Sequence, residues 1–335
     1  MQTERNQYFD FLKGIAILMV IGIHTSIGCG FDTFHEYFNT ALRQVLNCAV
    51  PVFIACSGFF LASKDLNTRD KIINFYKKQI SRVYIPCLLW SFPWLVIYLW
   101  GGNSYLSGLL NLFFCGFSVF YFVILMIQYY LLLPIIQTIH NKWEKSLLIS
   151  SIICSLICVA FVVYIRVFKA IQIPLTMYAG PFPLWIMFFV LGVVLAANKR
   201  DYKLGYIIIG VIITLIFQII ESKWLVSLSM NNIGFGIKPS SFLFSLLTIT
   251  LLFSAKFEEL YRASIIPKAI AFIGRISFVV YLSHTLIIQV LHLIIPAFNN
   301  MLWGGRFLFV GIFDILLVIS LYYIIPQKLK RFIGF

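Results

Sequence analysis

Long apolar runs alternate with short polar connections along the whole chain, and this pattern predicts the fold. A helix of about 20 apolar residues is long enough to cross the hydrocarbon core of a bilayer. The chain holds about ten such runs, so we predict an all-α integral membrane protein that forms one domain over residues 1–335. The predicted spans are residues 9–28, 44–63, 83–101, 119–139, 147–165, 182–198, 204–221, 240–254, 271–293 and 304–326.

The first span carries three ionisable residues, Asp10, Lys13 and His24. The separation between Lys13 and His24 is close to three helical turns, so both side chains lie on one helix face, roughly 16 Å apart along the axis. Ionisable residues inside a membrane are costly and usually face a bundle interior or a wet cavity. We interpret this face as the lining of a channel. The alternatives are that Lys13 snorkels to the interface and that His24 bonds to a neighbouring helix.

A basic segment precedes the third span and is a candidate anion site. Residues 64–82 hold six basic side chains, among them Lys77, Lys78 and Arg82. Arginine binds phosphate through a bidentate fork and lysine through a point charge. The segment is therefore a candidate site for a phosphorylated ligand, although the same charges could serve only to orient the protein in the membrane.

Two ionisable residues lie near the middle of the last two spans. A short loop joins these spans, so they pack as an antiparallel hairpin that brings His284 and Asp314 to the same depth. Buried ionisable groups in a membrane are usually paired, and we predict that these two form a polar pair. Arg275 at the start of the ninth span extends this polar line or serves as a charge that orients the protein. Ser57 and Gln128 are two further polar residues within predicted spans, and Ser57 beside Gly58 also fits a helix-packing site.

Composition supports the membrane interpretation. Hydrophobic residues make up 61% of the chain and charged residues 11%, whereas soluble domains have about 25% charged residues. The net charge of +14 does not indicate nucleic-acid binding, because the basic residues lie in short loops between spans. The seven cysteines show no paired metal-ligand spacing, and we predict no metal site.

The distribution of basic residues predicts the orientation. Of the 26 lysine and arginine residues, six lie in one set of loops and the remaining 20 lie in the other set and at the termini. The positive-inside rule therefore predicts cytoplasmic termini. The six residues predicted on the outer side are Arg43, Arg166, Lys169, Lys223, Lys238 and Arg306.

Five motifs, in the expected order, resemble those of the membrane-bound acyltransferase family 3. They are Asp10-Phe-Leu-Lys-Gly-Ile-Ala with His24, Cys56-Ser-Gly-Phe-Phe-Leu, the basic stretch from Lys78 to Pro86, Phe120-Tyr-Phe with Leu125 and Pro134, and Ile273-Gly-Arg-Ile-Ser-Phe-Val-Val-Tyr-Leu-Ser-His284. The chain departs from the family pattern at two positions. Lys13 stands where arginine is commoner, and Gln79 stands where a second arginine of an Arg-x-x-Arg pair is frequent.

The resemblance implies a ten-helix enzyme that transfers an acyl group, most often acetyl, from cytoplasmic acyl-CoA. The acceptor would be a hydroxyl of an exported or lipid-linked sugar or polysaccharide, and the location would be the inner membrane of a bacterium. The residues expected to act in catalysis are His24, Lys13 and Asp10. His24 would act as general base or would carry a transient acyl group, and Asp10 would pair with Lys13 or orient it. The residues expected to hold the CoA phosphates are Lys13, Lys77, Lys78, Arg82 and Arg275. The residues expected to line the channel are Ser57, Gln128, His284 and Asp314.

A transporter or flippase without acyl-transfer chemistry is the alternative from another class. Many spans and ionisable residues at the midplane also suit a transporter. Transporters often have two related halves with broken helices in matching positions, and the sequence shows neither clearly. The motifs therefore favour an enzyme. The identity of the sugar and the oligomeric state do not follow from the sequence.

Overall fold

The computed structural model describes residues 6–198, 200–228, 235–263 and 268–335. Within these ranges the chain forms α-helices joined by short connections and contains no β-strand, which confirms the all-α prediction. The helices are α1 (Gln7–Thr25), α2 (Phe34–Leu46), α3 (Ala49–Leu61), α4 (Arg69–Trp100), α5 (Tyr105–Phe113), α6 (Tyr121–Val163), α7 (Leu175–Ala179), α8 (Phe182–Ala197), α9 (Leu204–Ser227), α10 (Pro239–Leu252), α11 (Ala255–Ala263), α12 (Lys268–Ile294), α13 (Trp303–Ile324) and α14 (Gln327–Ile333).

The helices long and apolar enough to cross a membrane number seven in the described ranges, or eight if the bent pair α10 and α11 forms one span. Each of the ten predicted spans nevertheless overlaps a helix. Two predicted spans fall within α6, whose backbone leaves helical geometry only at Trp143, and α8 has only 16 residues. The protein is therefore a multi-pass membrane protein, while the exact number of spans and the side on which the termini lie stay predictions.

The second predicted span differs most from the structure at its start. Its apolar run begins at residue 44, but the helix α2 already begins at Phe34. Thr33 and Glu36 form a capping box, in which each side chain accepts a hydrogen bond from the backbone of the other residue. The following helix, α3, begins at Ala49. This arrangement places Arg43 on the last turn of α2, close to the body of the bundle.

Direct backbone contact joins α1 to α12. A Cβ atom added at Gly274 would lie 1.7 Å from the carbonyl oxygen of Asp10, and one added at Gly14 would lie 2.0 Å from that of Ile270. Small residues let membrane helices approach in this way. Since only glycine fits at both positions, the contact fixes the two helices beside each other along the segment that carries Asp10 and Arg275.

A second glycine contact joins α3 to α8. A Cβ atom at Gly58 would lie 2.2 Å from the carbonyl oxygen of Phe189, and one at Gly192 would lie 2.1 Å from that of Ala55. The glycine of the Ser57-Gly58 pair therefore serves helix packing. Ser57 itself points to another side of α3, where it reaches the cavity described below.

Candidate active site

A cavity of about 590 Å³ lies among α1, α2, α3, α4, α6, α7, α8 and α12. Lys13 and His24 both line it, so the polar face predicted for α1 does face a cavity. The helical rise places these two residues roughly 16 Å apart along α1. We call one region of the cavity the Lys13 end, which comprises Lys13, Gln79, Arg82 and Arg275. We call the other region the His24 end, which comprises His24, Arg43, Asn47 and Phe235.

Asp10 organises the Lys13 end. Its buried carboxylate lies 4.0 Å from Lys13 Nζ through Oδ1 and 3.6 Å from Arg275 Nε through Oδ2. The Nζ atom of Lys13 also lies 4.7 Å from the centre of the Phe60 ring, within the range of a cation–π interaction. One carboxylate thus fixes two cations on neighbouring helices, as the prediction that Asp10 orients Lys13 requires. Both Asp10 and Lys13 lie far from His24, so neither is placed to touch the same reacting atoms as His24.

The basic segment of α4 divides into two groups. Arg82 and Gln79 line the cavity, because they lie one turn apart on the same helix face. Lys77 and Lys78 are exposed and lie outside the cavity lining, so their role in cofactor binding stays a prediction. A count of charges along the segment does not distinguish its faces, and in the structure the residues of one face line the cavity. Gln79, at which the chain departs from the family pattern, is therefore a further cavity residue.

His24 and His284 lie side by side at the other end. The His24 side chain is accessible, although protein surrounds it, because its ring faces the cavity. The centre of the His284 ring lies 5.1 Å from that of His24, with 50° between the ring planes. His284 is fully buried and lies behind His24 rather than in the cavity lining. The structure therefore places His284 beside His24 rather than in the lining where it was expected.

Backbone carbonyls determine the proton position of His284. Its Nδ1 lies 2.8 Å from the carbonyl oxygen of Tyr281 and 3.2 Å from that of Val280. A carbonyl can only accept, so Nδ1 carries the proton and Nε2 of the neutral ring is an acceptor. This Nε2 atom is buried and finds no hydrogen-bond partner among the described residues. His284 therefore offers an unused acceptor beside His24.

Asp314 is placed differently from its prediction. Its Oδ1 accepts a hydrogen bond of 2.5 Å from Ser283 Oγ, and its Oδ2 has no partner in the described part of the chain. The predicted pair of His284 and Asp314 is thus wrong, and Asp314 does not line the cavity. Successive residues of a helix point about 100° apart. Ser283 therefore faces α13 and Asp314, while His284 faces α1.

The two smaller polar residues have separate roles. Ser57 lines the cavity, and its hydroxyl donates to the carbonyl oxygen of Phe53 at 3.0 Å. Gln128 lies outside the cavity lining, so its role in the channel stays a prediction. Its amide nitrogen donates to the carbonyl oxygen of Gly180 at 2.9 Å, and its amide oxygen accepts from the backbone N–H of Phe182 at 3.0 Å. Gln128 therefore satisfies the backbone where α8 begins.

Arg43 is the charged residue at the His24 end, and the sequence indicates it only as one of several outer-loop residues that could meet a polar substrate. Its Nε donates to Ser26 Oγ at 3.3 Å, and its Nη1 donates to Asn47 Oδ1. The signal for it was weak, because α2 has a polar composition and precedes the predicted span. No group of three or more histidine, cysteine or acidic residues is placed to hold a metal ion within the ranges that the structure describes.

Comparison with known proteins gives one match over nearly the whole chain and one over a short part of it. A 90-residue part of the chain is 33% identical to an amino-acid racemase of Enterococcus faecalis and covers 26% of this chain. The match covers only 12% of the length of that relative. No solved structure matches the chain. A family model described as an acyltransferase domain matches residues 6–325, nearly the whole chain. The chain therefore belongs to the acyltransferase 3 family.

Proposed function

We propose that this protein is an O-acyltransferase of the bacterial inner membrane that moves an acyl group from cytoplasmic acyl-CoA, with acetyl-CoA as the first candidate. The acceptor in this proposal is a hydroxyl of an exported or lipid-linked sugar or polysaccharide. The observation that carries the proposal is that one cavity joins a cationic end to a histidine. An acyl transferase that accepts a charged donor and deprotonates a hydroxyl needs both features in one enclosed space.

The Lys13 end suits the phosphates of the donor. Arg82 and Arg275 offer planar forks of N–H groups that match phosphate oxygens, and Lys13 adds a compact charge. Asp10 neutralises part of this charge and holds Lys13 and Arg275 in position. In the proposed orientation this end faces the cytoplasm, and the pantetheine arm runs along the cavity toward His24.

His24 is the proposed general base. A neutral imidazole accepts the proton of the acceptor hydroxyl, and the oxygen attacks the thioester carbonyl carbon. A carbon–oxygen bond forms, the carbon–sulfur bond breaks, and the CoA thiolate takes the proton from His24. The cavity exposes His24 to such a substrate while protein encloses the ring.

His284 is the proposed positioning residue for His24. Its Nε2 can only accept, and its nearest ring is that of His24. A hydrogen bond from a His24 N–H to this atom would leave the other His24 nitrogen without a proton and free to act as base. His284 thus selects the tautomer of His24, as the partner of a catalytic histidine does in nucleophilic enzymes.

The test is CoA release by the purified protein in nanodiscs, with radiolabelled acetyl-CoA and a panel of sugar acceptors. We expect thioester consumption that depends on the acceptor, with the label recovered on the sugar. Binding of acetyl-CoA without consumption under any acceptor would contradict the proposal and favour a transporter.

A further inference from the structure

The His24 end carries basic residues that form no ion pair among the residues that the structure describes. Three basic residues lie at or just behind the cavity wall there: Arg43, Arg166 and Lys238. None of them forms an ion pair with any residue that the structure describes. Lys238 donates to three neutral oxygens, on Gln44 at 2.5 Å, Ser222 at 2.9 Å and Phe235 at 3.1 Å.

Arg43 presents this charge to the cavity itself. It lines the cavity together with His24, and its two hydrogen bonds go to the neutral acceptors Ser26 and Asn47. A guanidinium group has more N–H donors than these two bonds use. Ser26 is two residues beyond His24, so the bond to Ser26 holds the guanidinium near the proposed base.

Arg166 adds a second charge behind the wall. Its guanidinium carbon lies 4.6 Å from the ring centre of Tyr178 and 4.8 Å from that of Phe235, and both rings line the cavity. Its Nη1 is buried and has no hydrogen-bond partner within the described ranges. Among the described residues, the contacts of this guanidinium are with aromatic rings, which leave its positive charge unpaired, and low-dielectric walls focus the resulting field into the cavity.

The nearby carboxylates are engaged elsewhere. Glu36 is exposed and accepts from the backbone N–H groups of Asp32 and Thr33 at the start of α2. Glu221 accepts from the backbone and hydroxyl of Ser240. Neither carboxylate pairs with Arg43, so the charge is available to a ligand.

We propose that the acceptor carries an anionic group, a carboxylate or a phosphate, which Arg43 binds while His24 faces the reacting hydroxyl. This inference rests on the proposed function and adds the class of acceptor to it. Arginine binds both anions through a bidentate fork, so the shared chemistry is a planar or tetrahedral oxyanion. The hydroxyl that is acylated lies on the same sugar as the anionic group or on its neighbour, because Arg43 and His24 line one end of the cavity.

The experiment is a binding measurement that does not depend on turnover. The full chain in nanodiscs is saturated with CoA, which occupies the Lys13 end, and is then titrated by calorimetry with methyl glucoside, methyl glucuronide or glucose 1-phosphate. We expect the two charged sugars to bind at least about tenfold more tightly than the neutral one. The charged sugar that binds more tightly shows whether the anionic group of the acceptor is a carboxylate or a phosphate.

Two variants test whether Arg43 binds the anionic group. Arg43→Gln is expected to lower the affinity for the charged sugars to that of methyl glucoside, whereas Arg43→Lys keeps part of the preference. Unchanged CoA binding in both variants shows that they fold. Equal or undetectable binding of all three sugars by the unmodified protein overturns the inference, as does a preference for charge that survives in Arg43→Gln. An equal loss of charged and neutral sugars in Arg43→Gln also overturns it. Absence of both CoA binding and thioester consumption is instead a failure of the proposed function.

Discussion

The two ends of the cavity both present cations, but different partners hold them. At the Lys13 end, a single carboxylate, Asp10, contacts Lys13 and Arg275 from two helices. At the His24 end, Arg43 is held by the neutral oxygens of Ser26 and Asn47. Asp10 therefore positions two cations and offsets part of their positive charge. The neutral partners of Arg43 position it without offsetting its charge.

This difference suits two different ligands. A donor with several phosphates needs several cations, and their mutual repulsion is reduced by a carboxylate between them. An acceptor with one anionic group needs only one guanidinium. A guanidinium without a carboxylate partner distinguishes charged from neutral sugars better than one whose charge a carboxylate offsets. The proposed reaction takes place at His24, where the acyl group of the donor would meet the hydroxyl of the acceptor.

Loss of His24 should have the largest effect. We expect His24→Ala to lower the rate of acyl transfer by about 10²–10⁴-fold, since a general base contributes on that scale. The affinity for CoA should change little, because the Lys13 end lies roughly 16 Å away. The measurement is label transfer from acetyl-CoA alongside CoA binding to the same preparation. A variant that inserts normally and transfers at the full rate would contradict the role of His24 as base.

Loss of Arg82 should act on the other end alone. We expect Arg82→Gln to weaken CoA binding by about ten- to thirtyfold, in line with the loss of a charge-assisted hydrogen-bonding partner. The rate at saturating acetyl-CoA should stay within about twofold, because Arg82 does not contact the proposed base. Calorimetry with CoA and a kinetic comparison of KM with kcat separate the two quantities. A loss of kcat at unchanged KM would show that the ends are not independent.

Loss of His284 tests how His24 is held. We expect His284→Ala to lower kcat by about tenfold, because His24 loses the acceptor that selects its tautomer. His284→Gln should recover part of the rate, since a glutamine oxygen can still accept from His24 while its amide donates to Tyr281. The KM for acetyl-CoA should not change in either variant. Equal rates in the two variants would indicate that His284 only fills space.

Helical spacing was enough to predict part of the site. The interval between Lys13 and His24 predicted one shared face, and the structure places both in one cavity. Spacing does not show which helices are neighbours, so it favours a pair of His284 and Asp314, whereas His284 lies against His24. The sequence does not single out Arg43 among the outer-loop residues, because its hydrogen bond to Ser26 joins α2 to the end of α1 and such contacts leave no periodic signal.

The contact between α1 and α12 should matter for both ends. Gly274→Ala places a methyl group against the Asp10 carbonyl, and overpacking of this kind costs about 1–3 kcal/mol. We therefore expect a lower thermal-unfolding temperature in detergent and weaker CoA binding, because Asp10 and Arg275 lie at the contact. Gly311→Ala is the matched control, since a Cβ atom there meets no atom within 4 Å. A Gly274→Ala variant as stable as this control would show that the two helices separate without cost.

The smallest effect is expected from the exposed lysines of the same helix as Arg82. Lys77 and Lys78 extend into solvent outside the cavity, so salt screens their attraction for the phosphates of CoA. We expect the double variant Lys77→Ala/Lys78→Ala to change CoA affinity by less than about twofold at physiological ionic strength, and by somewhat more at low salt. Comparing the CoA affinity of this double variant with that of Arg82→Gln shows how much a basic residue in the cavity lining contributes relative to basic residues outside it. A tenfold loss in the double variant would instead place the donor phosphates on the exposed face of α4, and the Lys13 end would no longer account for donor binding.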